Sequence, residues 1–298
     1  MEKNTVLVAG GTGLVGKALV EKLKQKGHTV KVLTRGKSNP DLNIYNWDIK
    51  NNSIDKAALK DVDTVINLVG AGIADKRWTA KRKKELIDSR VEPALFLASE
   101  LKHHPQVKHY ISASGINCYG YENYDKVYKE DDPYGKDFLS QVVQLWEDAA
   151  ERMPESVQVS ILRISVVLTK DGGALPKIAK PVKFGIGSPL GSGKQWMPWI
   201  SLEDLTSAFL HLMEKREKGT FNALAGYETN KNFTKILAKS LNKPFWFPNV
   251  PAFVIKRLFG EMSTVVLDGL KADNSKLKNT GFEFQHKTLE EAFEGIYG

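Results

Sequence analysis

Short β-branched and apolar runs alternate along this chain with longer stretches whose apolar positions recur every three or four residues. Thr5 to Ala9 is such a run, closed by glycines, and residues 14–26 then carry apolar side chains at helical spacing until Gly27 stops them. Thr29 to Thr34 returns to strand character. Strand, tight turn, helix and strand within about 30 residues make a β-α-β unit, whose two strands lie parallel. The order repeats, with strand patterns at residues 43–47, 64–68, 110–113 and 157–164 and helical patterns at 55–59, 79–101 and 138–152. An α/β fold follows: a Rossmann-type, doubly wound parallel sheet with helices on both faces.

Beyond residue 167 the texture turns to Gly, Pro and aromatic residues, from Gly172-Gly173 to Gly193. Helical patterns return at residues 202–215, 233–241, 251–259 and 289–296. We therefore expect a dinucleotide-binding domain over residues 1–167, its sheet completed by later segments around 198–224. A smaller, mostly helical substrate lobe should occupy 168–298, and the cleft between the two is the default ligand site.

Composition narrows the function classes. With 298 residues, 42% hydrophobic and 26% charged, the chain can bury a large core and has no biased tract that would favour disorder. The single cysteine, Cys118, has no partner for an internal disulfide, which fits a reducing, cytoplasmic setting. Glycines 10, 11, 13 and 16 break the apolar run after Lys3 where a signal peptide needs an unbroken one. No apolar stretch reaches the roughly 18 residues of a spanning helix, so no membrane partner is expected. The formal net charge is +8, yet the basic residues are spread along the chain and no nucleic-acid-reading motif accompanies them. Small anionic ligands are the expected partners, not nucleic acid.

The candidate chemistry begins in Gly10-Gly11-Thr12-Gly13-Leu14-Val15-Gly16, between the first strand and the first helix. Glycines three apart let the backbone turn sharply and approach a pyrophosphate, while the helix N-terminus offers free N–H groups and a positive dipole end. These residues resemble the cofactor turn of the short-chain dehydrogenase/reductase superfamily. Asn67-Leu68-Val69-Gly70 resembles its Asn-x-x-Gly segment, and the run from Ser112-Ala113-Ser114 to Tyr119-Gly120 resembles the serine-bearing end of its fifth strand. Further segments resemble an atypical branch, the NAD-dependent epimerase/dehydratase-like proteins named for sugar-nucleotide epimerases: Lys76 to Thr79, Asp88 to Val91, Asp137 to Leu139 with Trp146-Glu147, Leu175 to Trp199, and a C-terminal domain from Val250 to Phe282. The resemblance implies cofactor contacts at Gly10, Thr12, Gly13, Leu14, Val15, Gly16, Leu68, Val69 and Gly70. It adds Arg90 and Asp48 to these; Asp48 either faces the adenine or holds a turn.

Sites that prefer NAD place a carboxylate at the end of the second strand to bond both ribose hydroxyls. Here that place holds Leu33-Thr34-Arg35-Gly36. With no carboxylate to repel a 2′-phosphate, and with Arg35 able to bond it, NADP is expected over NAD. A solvated loop cation is the plainer role for Arg35.

Superfamily chemistry uses a Ser or Thr, a Tyr, and a Lys four residues after the Tyr. The candidates here are Ser114, Tyr119 and Tyr134, but four residues beyond Tyr134 stands Phe138. A tyrosine near pKa 10 without a cation is a poor base at neutral pH. Two functions remain open: an NADP-dependent oxidoreductase or epimerase-like enzyme acting on a small polar, nucleotide-linked substrate, and an NADP(H)-binding sensor or scaffold with a degenerate site. Lys76, Arg77, Lys81, Arg82, Lys83, Lys84 and Arg90 form a basic cluster, most of it expected in solvent, with Arg77-Trp78 and Arg90 set aside as cleft candidates. In the resembling branch a histidine usually stands where this chain has Ser201. The run Gln195 to Trp199 either stacks on a sugar or base or packs in the core.

Overall fold

Nearly every alternation in that pattern becomes a strand followed by a helix. The computed structural model describes residues 3–121 and 125–298. β1 (Thr5–Ala9) leads through the glycine turn to α1 (Leu14–Gln25) and β2 (Thr29–Thr34), then to β3 (Ile44–Asp48) and the short β4 (Ser53–Ile54). β5 (Thr64–Asn67), α2 (Ala80–Leu101), β6 (His109–Gly115), β7 (Val127–Tyr128), α3 (Phe138–Ala150) and β8 (Gln158–Ile164) follow. The remainder runs β9 (Val166–Leu168), α4 (Leu175–Lys183), β10 (Trp196–Ser201), α5 (Leu202–Lys215), β11 (Gly219–Ala223), β12 (Gly226–Thr229), α6 (Asn230–Ser240) and α7 (Ala252–Phe259). It ends with α8 (Thr264–Leu267), β13 (Lys271–Ala272), α9 (Ser275–Asn279) and α10 (Leu289–Tyr297).

The central sheet has eight strands in the order β11-β8-β6-β5-β1-β2-β3-β4, parallel except for β4. The chain starts at β1, winds outward to β3, and crosses back to β5 on the other side. That reversal opens a crevice at the carboxyl ends of β1 and β5, where ligands of doubly wound sheets bind. Both faces are covered: Val6 and Val8 pack with Leu19 and Phe209 on one side, Leu7 and Ala9 with Leu97 and Tyr110 on the other. A strand buried on both faces reads as a continuous apolar run, as β1 does.

Two local expectations differ from the structure. The helical pattern at 55–59 is only a 3-10 turn, Lys56–Ala58, capped by Asp55. Of the later segments, β11 joins the central sheet beside β8, whereas β10 pairs with β9 and β12 in a separate three-stranded sheet. Among the described residues no helix is long and apolar enough to cross a membrane.

One core histidine makes the fold acid-sensitive. His109 Nε2 lies 2.8 Å from Ser160 Oγ and 3.1 Å from the Glu217 carbonyl oxygen, and burial, aided by the charge of Arg216, pushes its pKa down to about 4. Between about pH 6.5 and pH 4 the unfolded chain binds a proton that the fold refuses, so stability falls as pH drops through that window, by up to about 3 kcal/mol. Urea midpoints at pH 7 and pH 4.5 should therefore diverge more for the unaltered chain than for His109→Gln; equal pH dependence would refute this.

Candidate functional site

The glycine turn has the shape of a phosphate cradle. Gly10 sits at φ +82°, and a Cβ there would stand 3.1 Å from the Leu68 carbonyl carbon. A Cβ on Gly11 would come within 2.8 Å of Val32, and one on Gly16 would overlap the Gly10 carbonyl oxygen. These three glycines let β1, α1 and the end of β5 approach closely. Gly13 differs: it is the exposed N-cap of α1, and its Cβ would meet only the Gly10 oxygen, at 3.3 Å.

α2, α3, α5, α6 and α10 begin under side-chain caps, from Thr79, Asp137, Ser201, Thr229 and Thr288. α1 begins under none, as do the shorter α4, α7, α8 and α9. The first-turn N–H groups and positive end of α1 are open to an anion at the switch point, beside exposed Thr12 and the half-buried Leu14 and Val15. Across the crevice Leu68 N donates to the Ala9 carbonyl at 2.9 Å and Val69 N to Asn67 Oδ1 at 3.1 Å, which presents Leu68, Val69 and Gly70 along the same edge. The residues present therefore fit a dinucleotide.

Arg35 stands exposed just past β2. The loop around it is pinned, since Gly36 N donates to Thr34 Oγ1 at 3.1 Å and Asn46 Nδ2 donates to the Gly36 carbonyl at 2.7 Å. No carboxylate pairs with the Arg35 guanidinium among the described residues. Asp48 holds a turn after β3: Oδ1 accepts from Lys50 N at 3.0 Å, and Oδ2 from Asn51 Nδ2 at 2.8 Å.

Arg90 is buried under Gly70. It donates to the Leu86 and Ala71 carbonyls, each at 2.9 Å, and lies 5.0 Å over the Trp146 ring. Burial, with the nearby charge of Arg82, lowers its pKa to about 10, so it stays charged at neutral pH. Its visible work is to hold the loop after β5. Arg82 corrects an expectation, because it is buried rather than solvated: it donates to the Gly72 carbonyl at 2.5 Å and pairs with Glu85 at 2.8 Å. Two buried arginines thus brace one loop. Arg77 donates to the Arg257 carbonyl at 3.0 Å, and the Trp78 indole to the Ile73 carbonyl at 3.0 Å, tying the same loop to α7.

The three candidate catalytic hydroxyls converge on a buried ion pair that the sequence reading did not single out. Arg163 Nη2 and Nε donate to Glu147 Oε2 and Oε1 at 2.7 and 2.9 Å, with both side chains almost wholly buried. Ser114 Oγ donates to Glu147 Oε1 at 2.5 Å and Tyr134 Oη to Glu147 Oε2 at 2.7 Å. Tyr119 Oη donates to Asn222 Oδ1 at 2.7 Å and accepts from Arg163 Nη1 at 2.9 Å. Sheet register explains the meeting: Ser114, Arg163 and Asn222 are neighbours across β6, β8 and β11, and Glu147 faces them from the buried side of α3.

This environment opposes acid–base work by either tyrosine. Burial pushes the Tyr119 phenol far up, more than Arg163 offsets. Burial, followed by the charge of Glu147, does the same to Tyr134. Burial works against the Arg163 charge too, but its bonds and charge contact with Glu147 outweigh that and hold it protonated. The cation beside Tyr134 is therefore Arg163, 3.4 Å from Oη and already neutralised by Glu147, and not a lysine of α3. The signal for this cluster was an arginine inside the apolar strand run 159–164.

The remaining residues divide. Trp199 is core, whereas Trp196 is half-buried, edge-on to Tyr227 with Lys271 5.2 Å over its ring. Ser201 caps α5 and lies 3.0 Å from His286 Nδ1, so an imidazole reaches that place from the C-terminal segment.

Comparisons with known proteins agree with this geometry. Residues 6–223 match the NAD dependent epimerase/dehydratase family, and residues 250–296 match a domain of unknown function, DUF1731. An epimerase family protein of Staphylococcus haemolyticus is 37% identical, covering 97% of this chain and 98% of its own. The crystal structure of the human epimerase family protein SDR39U1 (isoform 2) with NADPH superposes with a TM-score of 0.90 at 31% identity, covering 98% of this chain and 99% of that one. A nucleoside-diphosphate sugar epimerase from Corynebacterium glutamicum gives a TM-score of 0.81 at 27% identity, covering 100% of this chain and 59% of that one.

Proposed function

This chain belongs to the NAD-dependent epimerase/dehydratase family, and on that footing we propose that it is an NADP(H)-binding oxidoreductase or epimerase-like protein acting on a small polar, nucleotide-linked substrate. The observation that carries the cofactor assignment is the uncapped N-terminus of α1 with the unpaired Arg35 beyond β2. The human relative's structure with NADPH supports it, and the sugar-nucleotide epimerase fold supports the substrate class. A cytoplasmic setting belongs to the same proposal and rests on the free, buried Cys118.

When bound, the dinucleotide supplies hydride exchange at its nicotinamide. The chain's own part is to hold it: the Gly10 to Gly16 turn and the N–H groups of α1 take the pyrophosphate, Arg35 neutralises the 2′-phosphate, and Leu68 to Gly70, braced by Arg90, close the other side. A second reading, binding without turnover, is supported by the locking of Ser114, Tyr119 and Tyr134 onto Glu147, Arg163 and Asn222.

The test is to release bound nucleotide from the purified protein by denaturation, identify it by mass, and then follow NADPH oxidation against a panel of carbonyl compounds. NADP(H) should bind on the order of tenfold more tightly than NAD(H), and Arg35→Ala should erase most of that preference. Equal affinities in the unaltered protein would sink the NADP assignment. Where activity is found, Tyr134→Phe should change it by less than about tenfold, because a neutral, carboxylate-bound phenol does little proton transfer. A loss on the order of a hundredfold with cofactor affinity intact would show that this hydroxyl acts.

A further inference from the structure

The lysines are spread along the chain, but the carboxylates are not. Residues 172–202 hold four lysines and no Asp or Glu; residues 229–260 hold five lysines, Arg257 and no Asp or Glu. These two segments account for the whole net positive charge, since elsewhere carboxylates outnumber lysines and arginines. The fold brings them together. α4 packs on α6 through Leu175, Ala179 and Val182 against Phe233 and Leu237. Each helix turns an exposed lysine row outward, Lys177, Lys180 and Lys183 on one and Lys231, Lys235 and Lys239 on the other.

Where the two helices end, the surface becomes apolar. Phe184 is 74% exposed, Trp246 71% and Phe253 72%, and Ile186, Leu258 and Phe259 are exposed beside them. The segments that carry them approach closely: a Cβ on Gly185 would lie 3.7 Å from the Pro244 side chain, and one on Gly191 would lie 3.9 Å from the Ala252 Cβ. α7 carries five large apolar residues among its eight yet buries only Ile255. Six large apolar side chains left in water on one lobe mark a contact surface.

Charge selects among occupants. A second copy meeting face to face would set two segments holding nine lysines and no carboxylate of their own against their like, with Asp75 beside Lys177 and Glu261 beside Lys83 the acids at their margins. Nucleic acid would use the phosphate charge and the aromatic faces but gain nothing from Ile186 or Leu258, because its bases stack and do not solvate aliphatic chains. An anionic bilayer surface takes every component: headgroups pair with the lysine rows, and aromatic and aliphatic side chains enter the headgroup boundary. We infer that this face of the substrate lobe docks reversibly on anionic lipid. The contact is peripheral, and it places the mouth of the cleft at the membrane, because Arg77 ties the loop over the crevice to the Arg257 carbonyl of α7, and Lys83 at the start of α2 pairs with Glu261 just beyond it.

Co-sedimentation of the full chain with vesicles tests it, comparing phosphatidylcholine alone with phosphatidylcholine mixed with phosphatidylglycerol. Partitioning to the mixed vesicles should exceed that to neutral ones by about tenfold or more and fall steeply with salt. The double variant Trp246→Ser, Phe253→Ser should lose most of that partitioning while keeping its thermal midpoint and NADPH affinity, since both side chains lie in solvent. A second, charge-only variant, Lys180→Glu with Lys239→Glu, should lose it as well. Failure of the folded protein to bind the mixed vesicles overturns the inference. Binding to a DNA duplex or a polyglutamate peptide as tightly as to the vesicles, or binding unaffected by the Trp246 and Phe253 changes, also overturns it.

Discussion

Glu147→Ala is expected to cost about 3 to 5 kcal/mol of folding free energy, because it leaves Arg163 charged, buried and without its carboxylate. Two hydroxyls lose their acceptor at the same time, Ser114 Oγ and Tyr134 Oη. The glutamate's own gain over a hydrophobic residue need not be large, since desolvating both ions offsets most of their attraction. What is large is the cost of breaking the pair on one side. The double variant Glu147→Leu, Arg163→Met should therefore be milder than Glu147→Ala alone, despite removing more atoms. Urea unfolding of the three proteins checks this. A single variant within about 1 kcal/mol of the unaltered chain, or a double variant worse than the single, would show that the pair is not the keystone of the cluster.

Much of the frame was legible because both of its periods are local. β1 alternates between two covered faces, so each residue is apolar; α1 repeats every three to four residues and stops at Gly27, whose φ is +85°. The glycine turn was legible for the same reason, as its demands fall on consecutive residues. The polar cluster was not, because its members come from β6, the turn after it, the loop before α3, α3, β8 and β11, and only the sheet register brings them together. Arg163 inside an apolar strand and Glu147 on a buried helix face were its traces, each explicable alone as an edge or surface charge. The solvated reading of Arg82 failed similarly. A helical charge run looks solvated until tertiary contacts bury one face, and here the Gly72 carbonyl supplies the acceptor that makes burial tolerable. The small sheet of β9, β10 and β12 lay hidden around a Gly- and Pro-rich stretch, where strands three to six residues long leave almost no periodic signal.

Gly13→Val should abolish dinucleotide binding, a loss on the order of a hundredfold or more and so about 3 kcal/mol, while the protein still folds. Gly13 has φ −75° and ψ 177°, an extended conformation that valine adopts readily, and its added Cβ would face only the Gly10 oxygen at 3.3 Å. At that distance the Gly10 carbonyl must give by only a few tenths of an ångström to admit the Cβ. The side chain would instead occupy the space in front of the α1 N-terminus, where a pyrophosphate must approach the backbone N–H groups. Gly16→Val is the contrasting variant, since its Cβ would overlap the Gly10 carbonyl and force β1 and α1 apart. It should lose the thermal transition and binding together. Nucleotide titration and thermal unfolding of both proteins separate the roles of glycines three residues apart. If Gly13→Val titrates with NADPH like the unaltered chain, the turn serves packing alone, and the open helix end is not the cofactor site. If Gly13→Val binds nothing yet melts near the normal temperature, the N-terminus of α1 is where the pyrophosphate sits.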